Sequence, residues 1–113
     1  GAGTAFIKFT PRTADDYATV SVAVLLNIDS FGNCQEVRIG LGSCGRTALR
    51  ARNAENALRG RALVPKILRD IGGLASREVD PLGDIRGSSD YKREMVEVFT
   101  RRALEQARDM IKQ

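Results

Sequence analysis

Apolar and polar positions change their rhythm about halfway along the chain. From Thr4 to Phe9 the residues alternate weakly and are rich in β-formers, which predicts a strand ended by Pro11. Tyr17 to Ile28, YATVSVAVLLNI, is the strongest strand pattern, with Ala18, Val20, Val22, Val24 and Leu26 on one parity. Ala23 and Leu25 on the other parity predict that both faces of this strand are partly covered. Asp29-Ser30-Phe31-Gly32-Asn33 is a turn. Cys34 to Leu41 then sets Val37, Ile39 and Leu41 against Glu36 and Arg38. Strand, glycine-containing loop and strand predict an antiparallel hairpin.

The second half follows a helical period. Ala51 to Leu58 predicts a short helix with Gly60 just past its end. Ala62 to Ile71 predicts another, with Pro65 in the first turn and Gly72-Gly73 as the stop. Asp80 to Asp84 is a loop, and Ser88 or Ser89 caps a long helix to Ile111. Tyr91, Met95, Phe99, Ala103, Ala107 and Ile111 recur every four residues, with Val98 and Met110 beside them. Arg93, Glu97, Arg101, Glu105 and Arg108 occupy the opposite side with i,i+4 pairs of opposite charge. At about 1.5 Å per residue this helix is roughly 34 Å long, enough to cross a small sheet. Strands first and helices after predict an α+β fold: a three-stranded antiparallel sheet with helices packed on one face. A length of 113 residues predicts one domain, 1–113.

Composition removes more than it adds. Without histidine, imidazole acid–base chemistry, Ser-His-Asp triads and histidine metal sites are excluded. Cys34 and Cys44 lie ten apart, which fits neither a redox pair nor a metal set, and both read as small buried apolar residues. Fourteen of the 18 bases are arginine, but acids are interleaved throughout, which points to ion-paired surfaces or an interface rather than to nucleic acid. No apolar run spans a membrane, and the start lacks a signal-peptide pattern, so a cytoplasmic setting is expected. Gly40-Leu41-Gly42-Ser43-Cys44-Gly45 matches G-x-G-x-x-G, yet no strong helix follows it and no acid ends a second parallel strand about 20 residues on. It reads as a strand exit, not a phosphate cradle.

The loop between the first two strands gathers Lys8, Arg12, Asp15, Asp16 and Tyr17: cation, carboxylates and one aromatic, the groups a flat polar cofactor ring needs. A solvated inter-strand loop is the plain alternative. Three stretches then resemble one family in the right order: FIKFTPRTADDYATVSVAVLL, CQEVRIGLGSCGRTALRARNAENAL with its R-A-x-x-A-E-x-x-L helix, and DIRGSSDYKREMVEVFTRRAL. Together they resemble the C-terminal domain of the flavin-binding medium subunit of molybdenum hydroxylases, the carbon monoxide dehydrogenase and xanthine dehydrogenase family.

The resemblance implies a domain that closes over the isoalloxazine end of FAD, with the upstream FAD-binding domains absent from this chain. Lys8 would reach the pyrimidine side of the ring, Asp15 and Asp16 would border it, and Tyr17 would pack over its face. A solvent-exposed strand lysine, turn acids and a core tyrosine are the structural alternatives for these positions. Arg12 reads as loop surface, and Arg86, Ser88, Tyr91 and Arg93 as architecture. The resemblance also implies a multi-subunit oxidoreductase in which a large subunit holds a molybdenum cofactor and a small subunit holds two 2Fe–2S clusters. Electrons would pass to FAD and then to an external acceptor, and the domain alone would be inactive. A non-catalytic module for assembling the same complex is the alternative role.

Overall fold

A computed structural model describes residues 2–9, 20–43, 49–78 and 89–112. Strand β1 (Ala2–Phe9) pairs antiparallel with β2 (Val20–Ile28), and β2 with β3 (Cys34–Ser43). A two-residue strand, β4 (Leu49–Arg50), adds to the far edge of β3, so the sheet has four strands in sequential order rather than three. Helices α1 (Arg52–Leu58), α2 (Pro65–Arg77) and α3 (Ser89–Lys112) follow. The fold is the expected α+β layer pair.

Register explains which face is inside. Gly3, Leu26 and Val37 share one cross-strand row; Ala5, Val24 and Ile39 the next; Ile7, Val22 and Leu41 the third. These residues face the helices, and every β2 and β3 member of the three rows is buried. Helix α3 lies on β1 and β2, α1 lies on β3, and α2 packs against both other helices. The β2–β3 turn is held by Asp29, whose Oδ1 accepts from the backbone N–H of Phe31 (2.9 Å) and of Asn33 (3.0 Å).

Two close approaches bring the layers together. A Cβ at Gly3 would collide with the carbonyl oxygen of Ala107, so α3 meets β1 backbone to backbone there. A Cβ at Gly72 would lie 2.6 Å from the carbonyl oxygen of Glu97. This second approach corrects the expectation that Gly72-Gly73 stops α2, which instead runs on to Arg77. The tertiary contact between α2 and α3 outweighs an intrinsic helix cost of about 1 kcal/mol per glycine. Helix α2 also starts later than expected: Pro65 occupies its first turn, while Ala62 bridges back to Asn33. Gly60, at φ +83°, follows α1 as predicted, and its N–H donates to Cys34 O at 2.7 Å.

The stripe on α3 is rotated slightly from the expected one. Val96, Phe99, Thr100, Ala103, Leu104 and Ala107 are buried, Met95 and Ile111 are half-buried, and Met110 is exposed. The apolar face is wider than an i+4 row because α3 touches both the sheet and α2. On another side of α3 the half-buried Arg101 and Glu105 pair at 3.8 Å, a long contact of small energetic weight.

The edge of the sheet is closed by a buried carboxylate. Where β4 leaves β3, the N–H of Ala51 still reaches Ile39 O at 2.9 Å. The N–H of Ile39 then has no strand to donate to, and Glu55 Oε2 on α1 accepts it at 2.8 Å. The same carboxylate receives Arg50 through Nε (3.2 Å) and Nη2 (2.6 Å). Ala51, Ala54 and Leu58 from the same stretch are fully buried. The R-A-x-x-A-E-x-x-L pattern is therefore an edge clasp. Helix α1 has no local side-chain cap; Glu78, at the end of α2, accepts from the N–H groups of Asn53 and Ala54, both at 3.1 Å.

Glu55→Ala leaves Ile39 N–H and Arg50 without their acceptor, and the expected cost is about 3 kcal/mol by equilibrium urea unfolding. Glu55→Gln keeps a neutral acceptor and is expected to lose roughly half as much. A loss below about 1 kcal/mol for the alanine variant would remove the clasp from the account of the fold.

Candidate functional site

Alternation in a sheet leaves a second set of rows on the face away from the helices. Thr4, Leu25 and Arg38 form one, and Phe6, Ala23, Gly40 and Arg50 the next. Together they line an open hollow of about 580 Å³. Its floor is low because Ala23 and Gly40 are small, and its walls are Phe6 and Leu25. Phe6 is 64% exposed and Leu25 40%, so the face of β2 expected to be partly covered stands partly open among the described residues. Two arginine side chains, Arg38 and Arg50, also line it, and among the described residues no acidic one does.

Lys8 occupies the following row, paired with Ser21 and through it with Gly42. Of Lys8 the structure describes the backbone position. Asp15, Asp16 and Tyr17 lie outside the described residues, as do Arg12, Arg86 and Ser88. The row that holds Lys8 is thus continuous with the hollow, and the chain leaves β1 for the 10–19 segment one residue after it.

The glycine-rich stretch takes its place in the same rows. Gly40, Leu41, Gly42 and Ser43 belong to β3 and pair in regular register with β2. A strand interior has its N–H groups committed to the ladder and offers no free cradle for a pyrophosphate. Gly42 instead makes room for Ser21, whose Oγ would lie 2.6 Å from a Cβ at that position. The described part of this stretch, Gly40 to Ser43, is therefore regular strand and not a phosphate loop.

The ionic groups near the hollow are arranged from behind. Arg50 lines the hollow while its guanidinium is fixed by Glu55, which raises its pKa further above its already high range. Arg59 donates through Nε to Glu36 at 2.6 Å, and this bond holds the Glu36 carboxyl below the usual carboxylate range. Sequence reasoning missed Arg38 and Arg50 as lining residues. Their shared parity with Phe6 and Leu25 was available once the register was known, but the register itself was not. Among the described residues no group of three or more His, Cys, Asp and Glu side chains could hold a metal ion, and no helix is long and apolar enough to cross a membrane.

Cys34 is buried as expected and lies at the start of β3, beneath the turn. Burial pushes its thiol up to about 11, from 9.0, with the Arg59 charge opposing the shift. A thiol so raised is a poor nucleophile at neutral pH. Folding keeps it protonated where the unfolded chain has already lost the proton. Its contribution to stability is therefore intact below pH 9 and falls as pH rises from about 9 toward 11, by roughly 3 kcal/mol in total. In a Cys44→Ser background, alkylation of Cys34 at pH 8 is expected only at denaturant concentrations that unfold the chain. Fast alkylation of the native protein would contradict its burial.

The comparisons with known proteins agree with this architecture. Residues 5–107 match the family described as the CO dehydrogenase flavoprotein C-terminal domain. The carbon monoxide dehydrogenase medium chain of Afipia carboxidovorans is 38% identical over 108 residues, which is 96% of this chain and 37% of that one. The glyceraldehyde dehydrogenase medium chain of Sulfolobus acidocaldarius is 32% identical over 99 residues, 88% of this chain and 35% of that one. A solved Cu,Mo-CO dehydrogenase superposes with a TM-score of 0.78 at 37% identity, covering 96% of this chain and 37% of that chain. The chain thus spans little more than a third of the relatives it matches. With the family model running through all four strands and into the last helix, the chain belongs to the CO dehydrogenase flavoprotein C-terminal domain family.

Proposed function

We propose that residues 1–113 are one domain, the C-terminal part of the flavoprotein subunit of a molybdenum-containing hydroxylase or dehydrogenase, and that it closes over the isoalloxazine end of FAD. One observation carries this reading: the family match takes in residues 5–107 and so includes Lys8 at the end of β1 and the whole 10–19 segment. The regular pairing of Gly40 to Ser43 leaves no free N–H cradle in that stretch, which supports leaving the pyrophosphate and adenine to upstream FAD-binding domains.

Bound FAD supplies reversible electron transfer; this chain supplies the surroundings of its ring. The Lys8 ammonium would oppose the negative charge that gathers on the pyrimidine end as the ring takes up electrons, a preorganised electrostatic contribution. Asp15 and Asp16 would bound the ring and limit access to it. Tyr17 would cover one face and exclude water. In the parent complex a large subunit would carry the molybdenum cofactor and a small subunit the 2Fe–2S clusters that deliver electrons to FAD. An external acceptor would then take them from the flavin, in the cytoplasm. The domain alone has no group for the hydroxylation and is inactive by itself.

The second reading, a module for subunit assembly, is favoured by the bare sheet face. Substitutions in the intact complex separate the two. Lys8→Ala is expected to lower the flavin midpoint potential by about 30 mV, equivalent to about 1.4 kcal/mol for a two-electron couple, as read by dye-coupled reduction. Tyr17→Ala is expected to reduce FAD content per subunit. If both variants keep wild-type potential, FAD content and turnover while assembly falls, the assembly reading replaces the first.

A further inference from the structure

The face of the sheet opposite the helices is not finished as a surface. Phe6 and Leu25 are diagonal neighbours across β1 and β2 and stand exposed side by side. Single exposed apolar residues are ordinary, but an aromatic and an aliphatic pair over a floor of alanine and glycine is a contiguous apolar hollow. Among the described residues its charged lining is basic: Arg38 and Arg50, with the Lys8 row next along the strands. One of those arginines, Arg50, is held in place and its charge compensated by the buried Glu55, so it forms a fixed rim while Arg38 is the cation left to meet a partner's carboxylate.

The geometry points to a docking surface, residues Thr4, Phe6, Leu25, Arg38 and Arg50, for the upstream flavin-binding region of the same subunit. Three observations select this occupant. Relatives carry nearly two thirds of their length beyond the part matched here, and the family model places the matched part at the C-terminal side. The hollow is continuous with the row of Lys8, the residue proposed to reach the flavin, so a body holding that flavin would lie beside it. The basic lining calls for a segment that brings apolar side chains to Phe6 and Leu25 and a carboxylate to Arg38. The inference rests on the proposed function, which supplies the upstream region.

Hydroxyl-radical footprinting with mass spectrometry tests it on the full-length flavoprotein subunit, free of its partner subunits. The labelling rate of Phe6 is compared with the rate of the same residue in the urea-denatured subunit. Exposure as it stands in this structure would give little protection; a docked protein segment is expected to slow labelling about tenfold. Protection is expected to persist after FAD is stripped, because protein and not flavin covers the face. Phe6→Asp, which sets a carboxylate in the hollow, is expected to raise labelling of Leu25 severalfold. Protection below about twofold in the folded subunit overturns the assignment. Protection that vanishes with FAD gives the face to the cofactor, and protection that arises only in the complete complex gives it to a partner subunit; either result also overturns it. These outcomes are independent of the Lys8→Ala potential, so failure here is distinct from failure of the flavin reading.

Discussion

A carboxylate at the end of a sheet organises this domain. Glu55 accepts the N–H of Ile39 where strand pairing has run out and clamps Arg50 from the departing strand. An unpaired donor at that buried edge would cost a few kcal/mol, so a two-residue β4 is sufficient only because the helix behind it supplies the next acceptor. Fixing Glu55 fixes α1. The exposed N-terminus of α1 is then satisfied by Glu78 at the end of α2. Helix α2 meets α3 through Gly72, and α3 meets β1 through Gly3. The contacts form a circuit from one edge of the sheet, through all three helices, to the other edge.

That circuit has a consequence for the opposite face. Each helix is committed to the same side, and the polar groups that fasten them are carried at the β3–β4 edge or on the helices themselves. The other side retains the register rows of Phe6, Leu25, Ala23 and Gly40, with cations at their ends. Its glycines are in regular strand pairing, so the depression there follows from side-chain size rather than from any distortion of the ladder. A sheet with one side packed and one side shallow and apolar leaves a whole face open to a covering layer.

What the sequence reveals divides along the same line. Alternation in Cys34 to Leu41 assigns inward Val37, Ile39 and Leu41 correctly, because a period of two needs no knowledge of partners. The length of α3 is legible for the same reason. The run of α2 through Gly72-Gly73 is not, since the gain lies in an approach to Glu97, 25 residues away. Strand β4 is too short to carry a pattern, and a glutamate in a helix reads as surface until the strand donor it serves is known. Lys8, Asp15, Asp16 and Tyr17 were singled out by resemblance more than by periodicity; of these the structure describes only the strand position of Lys8, at the row next to the hollow. Arg38 and Arg50 were hidden because a lining residue is defined by register across strands, and register depends on loop lengths that local propensity does not determine.

The distribution of charge gives a final constraint on how such a domain can influence a redox partner. Arg59 is joined to Glu36, Arg101 to Glu105 and Arg108 to Asp109, so these arginines are paired locally and contribute little long-range field. Arg50 is neutralised at its base by Glu55, yet its side chain still lines the hollow. A field felt at the sheet face therefore depends on few charges, chiefly Arg38 and whatever the Lys8 row presents. In water each would be screened within about 10 Å, but covering the hollow with protein would lower the local dielectric and strengthen both. Docking and electrostatic tuning are thus not competing roles for this face: closure of the subunit over it is the condition under which its few cations could act on an electron-accepting ring.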